Sequence, residues 1–276
     1  MKTILLLTDF SNSATNAIHY AMRFFESEIC VFHVMHVHKA GSFISDDLMT
    51  SSTENIYESF TKIPKQKLKT IVEELKENYN NPNHKFEIIV DFDVFTDAVN
   101  QAIKKNSIDY VVMGSNGATG AIEVVFGSNA INVIRQVICK TLIVPNDYSF
   151  NPISNFLLPL QFDDTIKNEQ LELISDFTKH FNLKLHVLRV CFKNEATTNT
   201  ETDQEQLDGF NCKYSVEEDT TFYQAVTNYL KTNAIDMTGL IVHDKTFIKR
   251  FFTESPTLEL SKVIKLPLMI FHSREI

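Results

Sequence analysis

The stretch Met113-Gly114-Ser115-Asn116-Gly117-Ala118-Thr119-Gly120-Ala121-Ile122-Glu123-Val124-Val125-Phe126-Gly127-Ser128-Asn129 holds four of the chain's seven glycines. An apolar run, Tyr110 to Met113, leads into it, and a run with helical spacing, Asn129 to Val137, leads out. Strand, glycine loop and helix in that order let backbone N–H groups approach a phosphate closely. Gly114 ends a strand at the carboxyl edge, where open parallel sheets take ligands. Gly117 keeps a Cβ out of the way of the phosphates, and Gly127 allows a tight turn into the helix. Ser128 is a candidate N-cap whose hydroxyl can instead reach a phosphate oxygen. The amides of Ser128, Asn129 and Ala130 are helix-terminal donors aimed at an anion.

Around this loop the first half alternates strands and helices. Strands are expected at Ile4 to Leu7, Ile29 to Val37, Phe86 to Val90, Tyr110 to Met113 and Thr141 to Val144. Helices are expected over Ala14 to Phe25, Ile56 to Tyr79 (with Pro64 as a kink or as the true start), Ala98 to Lys105 and Asn129 to Val137. Such alternation predicts a parallel sheet with right-handed crossovers.

The second half repeats the first. His33-Val34-Met35-His36-Val37 recurs 153 positions later as His186-Val187-Leu188-Arg189-Val190. Asn106-Ser107-Ile108-Asp109 recurs 127 positions later as Asn233-Ala234-Ile235-Asp236. The second copy is therefore about 26 residues shorter between its second and third strands. It has no room for a helix like 56–79, and the polar, acidic stretch Thr198 to Asp208 reads as a mobile loop. The expected fold is α/β: two tandem domains, 1–147 and 152–276, each an open, doubly wound, five-stranded parallel sheet flanked by helices. Their last strands, Thr141 to Val144 and Leu268 to Phe271, can pair within the chain as a pseudo-dimer, and a further homodimer stays open.

Composition narrows the function. A net charge of -9 argues against a general nucleic-acid binder and against docking on anionic membrane. No apolar stretch approaches the roughly 18 residues of a spanning helix. Thr8-Asp9 interrupts the first apolar run too early for a signal peptide. The four cysteines lack CxxC spacing, so reduced thiols in a cytoplasmic protein are expected. His33, His36 and His38 cluster on the second strand, but no third and fourth ligand for a metal is visible. Asp91 and Asp93 read as a solvated strand end.

Three motifs in order resemble the ATP-binding type of universal stress protein domain over residues 1–145. They are Asp9-Phe10-Ser11 after the first strand, His33-Val34 in the second, and Gly114, Gly117, Gly127 and Ser128 at that family's glycine spacing. The resemblance implies ATP as ligand, with Mg²⁺ compatible, Asp9 on the ribose beside Thr8, and adenine held by Met113 and the Val34 backbone. Gly114, Gly117, Gly127, Ser128 and Asn129 would face the phosphates. The second half has Gln161 where Asp9 stands and no glycine after Gly239, so no nucleotide is expected there. Three readings follow: a cytoplasmic, stress-linked nucleotide-binding module that acts on a protein partner not legible in the sequence; a slow ATPase, although no catalytic residue stands out; or a nucleotide-free scaffold.

Overall fold

The computed structural model describes residues 1–38, 53–116, 126–161, 164, 166, 168–191, 203, 205–207, 210–242 and 265–272. The first half runs β1 (Lys2–Leu7), α1 (Asn12–Phe24), β2 (Cys30–Val37), α2 (Thr53–Tyr79), β3 (His84–Asp91), α3 (Phe95–Asn106), β4 (Tyr110–Gly114), α4 (Ser128–Gln136) and β5 (Lys140–Val144). The second half runs β6 (Asn155–Gln161), α5 (Asn168–His180), β7 (Lys184–Cys191), β8 (Cys212–Glu218), α6 (Phe222–Thr232), β9 (Met237–Val242) and β10 (Leu268–His272). The fold is α/β, as expected.

All ten strands form one sheet in the order β3-β2-β1-β4-β5-β10-β9-β6-β7-β8. Read outward from its middle, each half has the same order. Every pairing within a half is parallel. The halves join through antiparallel β5 and β10, with Leu142 opposite Met269. The last strands thus pair within one chain. Continuous apolar runs such as Ile4-Leu5-Leu6-Leu7 form these strands because both faces of the sheet are covered.

On one face, α1 and α2 pack Ala17, Ile18, Ala21, Leu68 and Leu75 onto Ile4, Leu6, Phe32 and Val34. That core continues into the second half, where Phe24 meets Phe177 and Phe181 at ring separations of 6.4 and 4.5 Å. On the other face, α3 and α4 cover Leu5, Leu7, Val111 and Ile143. Helix α2 runs through Pro64 rather than starting at it. Leu68, Val72 and Leu75 anchor its later turns in the core, which outweighs the missing N–H at Pro64.

The expected mobile loop at 198–208 is corrected where the structure describes it. Asp203 and Leu207 are buried, and the Leu207 amide bonds the Asp203 carbonyl at 2.9 Å as one helical turn. The reason is electrostatic: Asp203 meets the buried guanidinium of Arg189. No helix among the described residues is long and apolar enough to cross a membrane.

Candidate functional site

Strands β1 and β4 are neighbours, and the chain leaves them in opposite directions, through β2 and β3 on one side and β5 on the other. The carboxyl edge between them is therefore the switch point where ligands enter open α/β sheets. The Thr8 amide still bonds the Met35 carbonyl at 2.9 Å, so Asp9 is the first residue beyond the sheet. The turn that follows holds itself. Thr8 Oγ1 accepts from the Phe10 amide at 3.0 Å, and Asp9 Oδ1 accepts from the Ser11 amide at 3.0 Å. Phe10 has φ of 66°, the left-handed region that non-glycine residues seldom enter. Ser11 then caps α1, its hydroxyl accepting from the Ala14 amide at 3.2 Å.

His36 braces this turn from β2. Its Nδ1 lies 2.8 Å from the Thr8 carbonyl oxygen, which can only accept, so Nδ1 carries the proton. Its ring stands 4.4 Å from the Phe10 ring, and Lys67 Nζ of α2 lies 5.0 Å from the centre of the Phe10 ring. Burial lowers the His36 pKa; the bond to Thr8 and the nearby Asp9 oppose the shift, while His38 and Lys67 add to it. His33 is buried on β2 with Nδ1 3.4 Å from Glu87. Asp91 and Asp93 serve as local turn acceptors, Asp91 Oδ1 for the Phe92 and Asp93 amides and Asp93 Oδ1 for the Val94 amide.

Across the switch point, the glycine loop is pinched at its neck. The Ser115 amide bonds the Val144 carbonyl at 2.9 Å, and the Gly127 amide bonds the Ser115 carbonyl at 2.8 Å. Gly114 packs against the first turn of α1, where an added Cβ would lie 2.4 Å from Ser13 Oγ. The Ser13 hydroxyl is buried beside it with no hydrogen-bond partner among the described residues.

The N-cap of α4 is Gly127, not Ser128. Ser128 is the first helical residue because the Ile131 amide bonds the Gly127 carbonyl, opening the helix one position earlier. Gly127 has φ of -61°, an angle open to any residue, so its turn needs no glycine. Its missing side chain matters differently. The caps of α1 and α6, Ser11 and Thr221, occupy helix-start amides with their own hydroxyls. Helix α4 has no side-chain cap and no acidic residue in its first turn, so nothing in that turn competes with an external anion.

The structure thus brings Thr8, Asp9, Gly114, Gly127, Ser128 and Asn129 to one edge. Val34 pairs with Leu6 and Ile88 inside β2, three residues before the strand ends, with its side chain in the core. His36, Val37 and His38 stand at the carboxyl end of β2. Met113 sits opposite Ile143, one residue from the end of β4, packed toward α3 and α4. Gly117 and the rest of 117–125 lie outside the described residues, as does 243–264, where the second half's counterpart loop falls. Sequence reading missed the bracing role of His36. The sign available was a histidine at the end of a buried parallel strand, where one ring nitrogen can reach a neighbouring strand's carbonyl.

The second half differs at the same edge. Register places Gln161 opposite Val190 as Asp9 would lie opposite Val37, which matches the expected loss of the aspartate. Arg189 takes the position of His36.

The four cysteines are free thiols. Burial pushes Cys30 and Cys139 up to about 12, so both stay protonated and unreactive.

The chain is similar in structure to a universal stress protein from Archaeoglobus fulgidus, at 15% identity and a TM-score of 0.73, with 98% of each chain covered. A protein of unknown function from Pseudomonas aeruginosa aligns over 99% of this chain and 92% of its own at 9% identity and a TM-score of 0.61. The cytoplasmic domain of a prokaryotic cation chloride cotransporter aligns over 98% and 94% at 8% identity and a TM-score of 0.52. At these identities the likeness shows the fold. No match was found among curated proteins. The family model described as "Universal stress protein family" matches residues 1–145, more than half of the chain. The chain belongs to the universal stress protein family.

Proposed function

We propose that the first half binds an adenine nucleotide, ATP by preference, and that its occupancy changes how the protein meets a protein partner. The observation that carries this reading is the glycine-capped start of α4 at the switch point of the sheet. The residues fit an anionic nucleotide. The first α4 amides meet no side-chain cap, the Ser13 hydroxyl at the same edge has no partner among the described residues, and Gly114 keeps α1 close. On this reading the Ser128 and Asn129 amides face phosphate oxygens, with Gly117 in the same loop. The turn at Thr8 and Asp9 faces the sugar, and Met113 backs the base.

A nucleotide that tightens this edge also loads α1, and α1 holds the connection to the second half. Asn16 Nδ2 donates to the Pro145 and Tyr148 carbonyls at 3.1 and 3.2 Å. Tyr148 in turn donates to the Asp236 carbonyl at 3.4 Å. Any change of partner requires that the partner bind the two states differently. Four free thiols fit a reducing, cytoplasmic setting. The test is nucleotide released on denaturing the purified protein, read by absorbance and mass, together with calorimetric titration of ATP. Bound adenine nucleotide and saturable uptake support the reading; a protein that purifies empty and shows no heat of binding contradicts it.

A further inference from the structure

Arg189 is 1% exposed at the end of β7, and all of its donors are used. Nε donates to Asp203 Oδ2 at 2.8 Å, and NH2 donates to Asp203 Oδ1 and Oδ2 at 2.7 and 2.6 Å. NH1 donates to the Gln161 carbonyl and, at 2.7 Å, to the Asp164 carbonyl. Asp203 is 2% exposed, and the Tyr214 hydroxyl donates to its Oδ2 at 2.7 Å. Burial, with the carboxylate beside it, pushes the Tyr214 hydroxyl up to about 12, so it remains a donor at neutral pH. Three donor groups from β7 and β8 therefore converge on one carboxylate, in the bidentate geometry that guanidinium groups offer to oxyanions.

The carboxylate comes from a turn that the Leu207 amide closes onto the Asp203 carbonyl, while the Arg189 and Tyr214 donors come from the sheet. In the first half the same position, His36, braces the strand-end carbonyl of Thr8 and packs its ring against Phe10. Arg189 keeps that bracing task, on Gln161, and adds an oxyanion site. We infer that the edge of β6, β7 and β8 is a built oxyanion-binding site whose resident ligand is the chain's own Asp203 carboxylate. Removing that carboxylate leaves Arg189 and Tyr214 to take a small external carboxylate or phosphate. In the intact chain the tethered carboxylate occupies the site as an intramolecular ligand, ahead of anions in solution. The inference is independent of nucleotide binding by the first half.

The experiment is thermal unfolding of Asp203→Ala in formate, in inorganic phosphate and in chloride at matched ionic strength. Wild type and the double variant Arg189→Met/Asp203→Leu, which lacks both charges, run beside it. The expected result is a fall in Tm for Asp203→Ala in chloride that formate or phosphate restores by half or more, beyond the general salt effect that the two controls share. Restoration by formate alone defines a carboxylate-sized site; restoration by phosphate as well defines a general oxyanion site. Should Asp203→Ala be unfolded in chloride, recovery of its circular dichroism on adding either anion is the supporting result. No recovery, or an equal response in the double variant, overturns the inference.

Discussion

Gly114 and Ser13 meet so closely that a Cβ on Gly114 would lie 2.4 Å from the Ser13 hydroxyl oxygen and 2.8 Å from the Ser13 carbonyl carbon and oxygen. The hydroxyl can rotate away, but the backbone of α1 cannot. Gly114→Ala is therefore expected to cost about 1–3 kcal/mol, as overpacking does. Ser13→Ala in the same chain should not recover the loss, because the Ser13 carbonyl stays in place. Denaturant unfolding of the two single variants and the double variant checks this. Full recovery in the double variant would show that the hydroxyl alone sets the approach.

Asp109 and Asp236 perform one task in the two halves. Asp109 Oδ2 accepts from the Thr3 amide at 2.7 Å, and the Asp109 amide returns a bond to the Thr3 carbonyl at 2.8 Å. Asp236 Oδ2 accepts from the Ser154 and Asn155 amides at 2.9 and 2.8 Å, and its amide bonds the Asn155 carbonyl at 3.0 Å. Each aspartate fixes the start of the first strand of its half. Alanine at either position should cost about 1–3 kcal/mol, from amides left without their charged acceptor. Asp236→Ala should cost more, since it strands two amides. Unfolding midpoints for the two variants decide the order.

This pair also shows what the sequence made legible. The repeat of Asn106 to Asp109 at Asn233 to Asp236 was readable because the same four-residue pattern recurs, although the strand starts it holds lie 81 to 106 positions away; the pairing of β5 with β10 was readable too. The end of β2 at Val37 was readable as well, and Val34 lies three residues before it. The cap of α4 was not: Gly127 and Ser128 are both acceptable caps, and the neck bond to Ser115 chose between them. Asp203 was misread because its partner Arg189 lies 14 residues away on a strand. An arginine inside the apolar run of β7 was the one sign that a carboxylate had to come to it.

Histidine burial sets an acid limit on stability. His33, His36 and His186 all have pKa values lowered, chiefly by burial. The unfolded chain then binds more protons than the folded chain once pH drops below about 6.5, so stability falls as pH falls through that range. Urea midpoints should decline from neutral pH toward pH 5 before carboxylates titrate. His36→Asn, which keeps a donor for the Thr8 carbonyl but cannot titrate, should make the decline shallower. An unchanged slope would remove His36 from the set.

The glycine cap of α4 can be tested without touching the core. Gly127→Ser should add a side-chain acceptor to the helix start, raising stability by a few tenths of a kcal/mol. The same hydroxyl then competes with a bound phosphate. A rise in unfolding midpoint together with weaker ATP binding is the expected combination, and a rise in both would contradict it.

The most direct measurement is the ATP dissociation constant of wild type and of Gly127→Asp by titration calorimetry. An aspartate cap places a negative charge and its own acceptor at the amides that the account assigns to phosphate. The account predicts saturable binding at one site per chain in wild type and a loss of about tenfold or more in Gly127→Asp, as expected for about 1.4 kcal/mol or more of lost interaction. Absence of binding in wild type, or equal affinity in Gly127→Asp, would contradict it.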